Sequence, residues 1–329
     1  MKVPFLATCG LLVAATMATA QTPVLTVLTY DSFASDWGPG PVVEKAFEAT
    51  CGCDLRSVPA GDGAALLARV RLEGARSGAD VVLGLDTNLT AAAQATGLFA
   101  PHGVTVPLTL PVAWDDPVFL PFDWGWFAFV HDKTRVPTPP RSFEDLADSS
   151  LKVVIQDPRS STPGLGLVMW VQAAYGDRAA EIWRRLADNV LTVTPGWSES
   201  YDLFLKGEAD MVLSYTTSPA YHLIAESDDS KAAAAFVEGH YLQVEVAGVL
   251  ANAPQPDLAH AFMAFVVSEA FQAAIPETNW MYPAVTPVAG LPRGFETLHR
   301  PETSLLLPSA EAQALRDAAV ETWRTALAR

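Results

Sequence analysis

The sequence predicts an α/β protein of two lobes hinged around a cleft, on three observations. Short β-rich apolar runs alternate with helical patterns from Val24 to Leu89 and again from Lys152 onward, which implies mainly parallel sheets covered by helices. Two other stretches read as strands crossing between these units. Phe119-Leu-Pro-Phe-Asp-Trp-Gly-Trp-Phe-Ala-Phe-Val130 is dense in aromatics and long for one strand, and Gly239-His-Tyr-Leu-Gln-Val-Glu-Val-Ala247 alternates apolar and polar residues. The length, 329 residues, is enough for two lobes with cores of their own. The expected division is residues 21–126 plus about 240–282 for lobe 1, and about 127–239 plus 283–329 for lobe 2.

The first element is not part of that fold. Lys2 precedes an uncharged run from Val3 to Ala20 that ends Ala18-Thr-Ala20 before Gln21. This reads as a signal peptide, residues 1–20, cleaved after Ala20, and it is too short and too rich in small residues to span a membrane comfortably. No later stretch is long and apolar enough for a membrane helix, so an exported protein with no stable membrane insertion is expected. Val24 to Thr29 is the first strand of the mature chain, and Gly40 and Pro41 open a helix that Gly52 stops. Cys53 to Val58 is a strand, and Asp62 is placed to cap the helix carrying Leu66, Leu67 and Val70. Ala79 to Leu85 is a buried strand, followed by a helix from about Leu89.

In the second unit, Lys152 to Gln156 is a strand and Leu165 to Tyr175 a helix, capped by Ser161 or Thr162 and started by Pro163. Glu181 to Ala187 is helical, and Val190 to Thr194 is a strand leaving through Pro195-Gly-Trp-Ser198. Ala209 to Leu213 is a buried strand that runs into Ser-Tyr-Thr-Thr-Ser-Pro-Ala-Tyr221, with Ser218 as N-cap and Pro219 as first helical residue. Leu258 to Val267 and Ala270 to Ala274 are helical, Asn279 to Pro283 is an exposed aromatic turn, and Ser309 to Leu327 is an amphipathic terminal helix.

Composition narrows the function. Half the residues are hydrophobic and 18% charged, which marks a globular chain. A net charge of -16 argues against a nucleic-acid partner, whose backbone is itself anionic, and is compatible with a small cationic ligand. The mature chain keeps Cys51 and Cys53. Export allows a disulfide between them, with metal binding the alternative, although no histidine lies near. His102, His131, His222, His240, His260 and His299 show no metal-ligand spacing, and no cofactor is expected.

The ends of strands in open α/β sheets are where ligands bind. Here those loops carry Tyr30, Asp62, Ser161, Thr162, Trp197, Tyr215 and Tyr221, joined by Trp280 from the last segment: an aromatic box with few charges. Aromatic faces attract cations and stack on flat rings, each worth roughly 0.5–2 kcal/mol. Each residue also has an ordinary structural role available: Asp62 as a helix cap, the two tyrosines as packing, Trp37 folded on the core. Trp124 and Trp126 alternate with Gly125, and their face is expected to line the cleft. An exported, acidic, two-lobed protein with such a cleft is most simply a transporter's ligand receptor. A hydrolase is disfavoured because no G-x-S-x-G occurs, and the importing ATPase is not in this chain, which lacks G-x-x-x-x-G-K-[ST].

Several runs in order carry a more specific signal: Thr29-Tyr-Asp-Ser-Phe-Ala-Ser-Asp-Trp-Gly-Pro-Gly-Pro41, Ala79-Asp-Val-Val-Leu-Gly-Leu-Asp86, Gln156-Asp-Pro-Arg-Ser-Ser-Thr-Pro-Gly-Leu-Gly166, Gly196-Trp-Ser198, Leu213-Ser-Tyr-Thr-Thr-Ser-Pro-Ala-Tyr-His222, Glu238 to Ala247 and Asn279-Trp-Met-Tyr-Pro283. With these the mature chain resembles the periplasmic thiamine-binding proteins of ABC importers along essentially its whole length. The resemblance implies a type-II periplasmic-binding fold, with thiamine and its mono- and diphosphate as ligands between the lobes, and a membrane permease and, through it, an ATPase as partners. It implies no catalysis. The contacts it implies are Asp62 with Gly63, Ser161 with Thr162, Trp197, Tyr215, Thr216, Thr217, Ser218, Tyr221 and Trp280, with Tyr30 and Trp37 nearby. The chain departs from the family's pattern at Trp124 and Trp126, where tyrosines are usual, and at Gly61, where an acidic residue is usual. Rival readings are an iron(III) receptor, which needs adjacent tyrosines where this chain has Tyr215-Thr216, a polyamine receptor, and a thiaminase-like transferase, which needs a nucleophile in the cleft.

Overall fold

The structure is a computed structural model that describes residues 22–328, and the stretch read as a signal peptide lies outside them. The first unit runs β1 (Val24–Thr29), α1 (Asp31–Ala34), α2 (Gly40–Cys51), β2 (Asp54–Pro59), α3 (Gly63–Glu73), β3 (Val81–Asp86), α4 (Thr90–Gln94) and the short β4 (Phe99–Ala100). The long strand β5 (Phe119–Asp132) follows. The second unit holds α5 (Phe143–Asp148), β6 (Val153–Gln156), α6 (Thr162–Tyr175), α7 (Ala179–Leu186), β7 (Val190–Thr194), α8 (Trp197–Leu205), β8 (Met211–Tyr215), α9 (Pro219–Ala225) and β9 (Lys231–Ala233). β10 (His240–Leu250) returns to the first unit, before α10 (Pro256–Val266), α11 (Glu269–Gln272), α12 (Ile275–Thr278), β11 (Tyr282–Pro283), β12 (Ser304–Leu305) and the terminal α13 (Ser309–Leu327).

The strands lie in the order β2-β1-β3-β10-β5-β8-β6-β7. The outer pairs β1–β2, β1–β3, β6–β7 and β6–β8 are parallel, as strands joined by helices must be, while β10 and β5 run antiparallel to their neighbours. β5 changes partner midway. Phe119 to Trp126 pair with β10, and Phe127 to His131 pair with β8. One strand therefore belongs to both halves of the sheet.

Burial follows from helices on both faces: β3 and β10 are buried at every position. Residues of β1 and β3 feed two different cores, alternating as far as Gly84, whose φ of 111° interrupts the pattern before Leu85. Val27, Val81 and Leu83 join one beneath α2 and α10, whereas Leu28, Val82 and Leu85 join another that runs on through both units. α6 is apolar all round and buried from Thr162 to Val171, as a helix enclosed by neighbours should be. It approaches β5 so closely that a Cβ on Gly166 would stand 2.0 Å from the Phe127 ring. α13 lies against α7, α6 and α4.

Three sequence expectations are corrected. Asp62, Ser161 and Ser218 do occupy the N-cap positions of α3, α6 and α9, but none of their side chains makes a capping bond. Other partners outbid the local signal, as the site shows. The aromatic turn is not exposed: β11 pairs with β5, Met281 and Tyr282 are buried, and Tyr282 stacks on Trp124 at 4.5 Å. Trp124 and Trp126 point away from the cleft. Their indole N–H groups donate to the Pro283 carbonyl at 3.2 Å and to Ser304 Oγ at 2.8 Å. Gly125 between them faces the other way, and its bare Cα lets Met281 and Tyr215 pack in, since a Cβ there would meet the Met281 methyl at 2.8 Å.

Candidate functional site

A cavity of about 400 Å³ opens between the two units, at the C-terminal ends of β1 and β8 and over the middle of β10. Of the residues expected from sequence, Tyr30, Trp37, Asp62, Thr162, Trp197, Tyr215, Ser218, Tyr221 and Trp280 line it. Gly63, Ser161, Thr216 and Thr217 do not. Ser161, Thr216 and Thr217 are fully buried behind the wall, with Thr217 Oγ1 against Met281 Sδ at 3.5 Å.

The second unit supplies an aromatic wall fixed from behind. Trp197 opens α8 and stacks on Tyr201, one turn on, at 4.9 Å. Its indole N–H donates to Ser214 Oγ at 2.8 Å. Ser214 bonds Ser218 Oγ at 2.6 Å, and Ser218 Oγ accepts the Tyr215 N–H at 3.1 Å. That is why Ser218 does not cap α9: its hydroxyl holds the strand end and, through Ser214, the indole. Tyr201 Oη meets His222 Nε2 at 3.0 Å, and His222 Nδ1 meets Glu226 at 2.6 Å. His222, Glu226 and Asp228 bring possible metal-ligand atoms together, but both ring nitrogens are already engaged and Asp228 binds Lys231.

The first unit supplies the opposite side. Trp37, more than half exposed, stands at the rim 6.3 Å from Trp197 across the cleft. Trp280 meets Tyr221 edge to face at 5.4 Å. Its backbone sits at φ 56°, a left-handed conformation costly for a side chain that large and tolerated where surrounding structure enforces it. Tyr30 lies over the end of β3, where Gly84 at φ 111° leaves room: a Cβ there would stand 2.2 Å from the phenol ring. Tyr30 donates to Glu245 Oε2 at 3.1 Å and accepts from Asn279 Nδ2 at 2.8 Å, while Asn279 also reaches Asp123 Oδ2. Burial, then the nearby Glu245 and Asp123 carboxyls, push the Tyr30 phenol well above its ordinary range, so it stays a neutral donor.

Asp62 stands where the two units meet. Burial lifts its carboxyl to about 6, with the Ser161 hydroxyl and the Trp197 backbone N–H drawing it back down. The helix start it was expected to cap is held across the cleft instead. Gly63 N–H donates to Thr162 Oγ1 at 3.0 Å, and Ala65 N–H to the Ser160 carbonyl at 3.1 Å.

Sequence reading missed Tyr201, Glu245, Asn279 and Met281, all of which line the cavity. Tyr201 sits inside a helical pattern and Glu245 inside an alternating strand, so neither carries a loop signal. Asn279 and Met281 flank Trp280 in a turn read for its aromatics. Cys51 and Cys53, joined by a disulfide, lie away from the cavity.

The site as a whole is concave, aromatic and weakly acidic, and suited to hold a flat, cationic solute. Comparison with known proteins agrees. A family model described as bacterial extracellular solute-binding protein matches residues 40–273. The thiamine-binding periplasmic protein of Escherichia coli (strain K12) is 56% identical over 310 residues, covering 93% of this chain and 94% of that protein. That of Brucella abortus biovar 1 (strain 9-941) is 49% identical over 308 residues, covering 93% and 92%. Among solved structures, a periplasmic thiamin binding protein superposes with a TM-score of 0.92 at 55% identity, covering 95% of this chain and 98% of that one. A ferric binding protein from Campylobacter jejuni, at TM-score 0.74 and 17% identity over 92% of this chain and 99% of that one, shares the fold.

Proposed function

The chain belongs to the bacterial extracellular solute-binding proteins, and from that premise we propose that it is the periplasmic receptor of an ABC importer for thiamine. It captures and delivers; it does no chemistry on its ligand. The observation that carries this reading is the cleft itself: tryptophans and tyrosines from both units converge on one cavity beside the buried carboxylate of Asp62. Thiamine has a cationic thiazolium, a flat aminopyrimidine and a hydroxyethyl arm, and each finds a complement there. Tyr221, Trp280 and Tyr30 face the rings. Asp62 answers the positive charge or accepts from the amine. Thr162, at the start of α6, and Ser218 take the hydroxyl end.

The same end is our reason to include thiamine mono- and diphosphate as ligands, with Gly63, Ser161, Thr216 and Thr217 supporting the wall from behind. We place the lobe boundary on β5 between Trp126 and Phe127, where that strand changes partner, with residues 21–126 and about 240–282 in lobe 1 and about 127–239 and 283–329 in lobe 2. Ligand contacts from both lobes are complete only when the cleft is shut, so thiamine favours the closed form. The closed form then docks on a membrane permease powered by a separate ATPase.

Titration of the mature protein with thiamine, followed by tryptophan fluorescence and calorimetry, tests this. Saturable binding below about 1 μM is expected, with intact thiamine recovered and no comparable binding of spermidine or iron(III). Trp280→Ala and Tyr221→Ala are each expected to weaken binding by about tenfold. If neither changes affinity, the stacking arrangement is wrong. If thiamine does not bind, the ligand is wrong.

A further inference from the structure

Three carboxyl side chains stand in one row across the centre of the sheet. Glu245 on β10 is in register with Asp86 on β3 to one side and with Asp123 on β5 to the other. Directly opposed residues on neighbouring strands lie about 5 Å apart with side chains on the same face. Asp86 and Asp123 are fully buried, and Glu245, 6% exposed, is the member that reaches the cavity.

The row has few partners and little positive charge. Tyr30 donates to Glu245, Asn279 to Asp123 Oδ2, and Asn88 to Asp86 Oδ2 at 2.8 Å. Asp86 Oδ1 and Asp123 Oδ1 are buried without any partner. The titratable groups facing Glu245 are Asp123, Asp86, Tyr30 and Tyr215, each either acidic or a neutral phenol. Arg316 acts on Asp86 from outside the row and is itself paired with Asp317.

Three carboxylates this close and this dry cannot all be ionised. Burial holds Glu245 and Asp123 above the ordinary carboxylate range, with the Asp123 carboxyl raising Glu245 further while hydrogen bonds from Asn279 and Glu245 draw Asp123 back down, and burial lifts Asp86 to about 7. Protons are what neutralise the row while no cation lies beside it. A cation in the cleft, next to Glu245, does the same work and makes a proton redundant.

We propose that Glu245 selects for cations in this cleft and that the Asp86–Glu245–Asp123 row releases a proton to solvent when a cation binds. This rests on the reading of the cleft as a thiamine site. The balance is simple: a carboxyl O–H ionises, its proton goes to buffer, and the ligand's positive charge replaces it. A neutral molecule of the same shape offers no such replacement and is rejected.

Calorimetry of thiamine binding in buffers of different ionisation enthalpy reads the released proton directly. The wild type is expected to release up to about one proton per ligand, and its affinity to rise with pH by at most about tenfold per unit between about pH 5.5 and 8. The sign follows from the release: fewer protons remain to be removed as pH rises. Glu245→Gln keeps a carbonyl for Tyr30 to donate to but removes the central acid, so it is expected to lose at least tenfold in affinity at about pH 8 and to lose the buffer dependence. Asp123→Asn removes one acid of the row and is expected to release fewer protons per thiamine bound. Far-UV circular dichroism and thermal unfolding confirm that both variants are folded. Any proton exchanged by thiamine itself is common to all three proteins, so differences between them report the row. Thiamine binding with buffer-independent heat, or an unchanged proton count in Glu245→Gln, overturns the row's role and leaves the thiamine reading standing. Absence of binding by the wild type overturns that reading, and the row's role with it.

Discussion

Two helix starts carry the same local signal and are finished differently. Ser142, in extended backbone before α5, caps that helix itself: its Oγ accepts the Asp145 N–H at 2.8 Å. Asp62 sits in extended backbone before α3 in the same way, yet its carboxylate makes no capping bond to that helix. Two N–H groups of its first turn, those of Gly63 and Ala65, are taken from across the cleft by Thr162 Oγ1 and the Ser160 carbonyl. The signal is honoured where the helix start faces its own surroundings and reassigned where it faces another lobe. Reassignment ties the start of α3 to the other unit and turns the Asp62 carboxylate toward Ser161 and the Trp197 N–H at the cavity wall.

That contrast can be broken most severely at Asp62. Asp62→Asn is expected to weaken thiamine binding about a hundredfold, because a partly desolvated charge pair loses one member. The same change should stabilise the ligand-free protein. The folded carboxyl titrates at about 6, above its unfolded value of 3.8, so its contribution is fully present below about pH 4 and is lost as pH rises through about 6. Removing the titration removes that loss, worth about 1–3 kcal/mol above pH 7. Denaturant unfolding at about pH 4 and about pH 7.5 reads it, and equal stabilities of variant and wild type at both pH values would contradict it.

Thr162→Val comes next. It keeps the shape of the side chain and removes the acceptor for Gly63 N–H, leaving a buried donor unpaired at a cost of about 1–3 kcal/mol. If that bond belongs to closure, the loss appears as about tenfold weaker binding with a smaller change in thermal unfolding. An effect confined to unfolding would show that the bond serves the fold alone. The smallest effect is expected at the other helix: Ser142→Ala should cost about 1 kcal/mol of stability and leave thiamine affinity unchanged. A change in affinity there would end the distinction between the two helix starts.

The same contrast explains what sequence could and could not reveal. Strand and helix identities were legible because periodicity records burial, which is local in sequence: β1, α2, β6, β7 and α13 all fall where their patterns place them. So were the aromatic wall residues Trp197, Tyr215, Tyr221 and Trp280, which follow strand or helix ends. Cap use was not legible, since Thr162 meets Gly63 only after the chain has folded across a long sequence gap. Nor was the acid row. Asp86 closes one strand, while Asp123 and Glu245 are single polar residues inside two others, and only register between distant strands brings them together. The orientation of Trp124 and Trp126 turned on the same fact: alternation says that two residues share a face, but which face meets the cleft is decided by β11 docking on one side.

The position of β10 also constrains how the molecule can be made. It lies between β3 and β5, although it is assembled from residues near the last quarter of the chain. A polypeptide appearing from its N-terminus therefore displays β3 and the early half of β5 with no strand between them until Leu250 has emerged. The first lobe has no co-translational resting state: its central pairing closes over a loop of more than a hundred residues, a slow, entropically demanding step that leaves apolar strand edges open meanwhile. Folding is consequently a late event for the whole chain. Until then the edges of β3 and β5 stand open, which makes them the segments of the nascent chain most exposed to pairing with other chains.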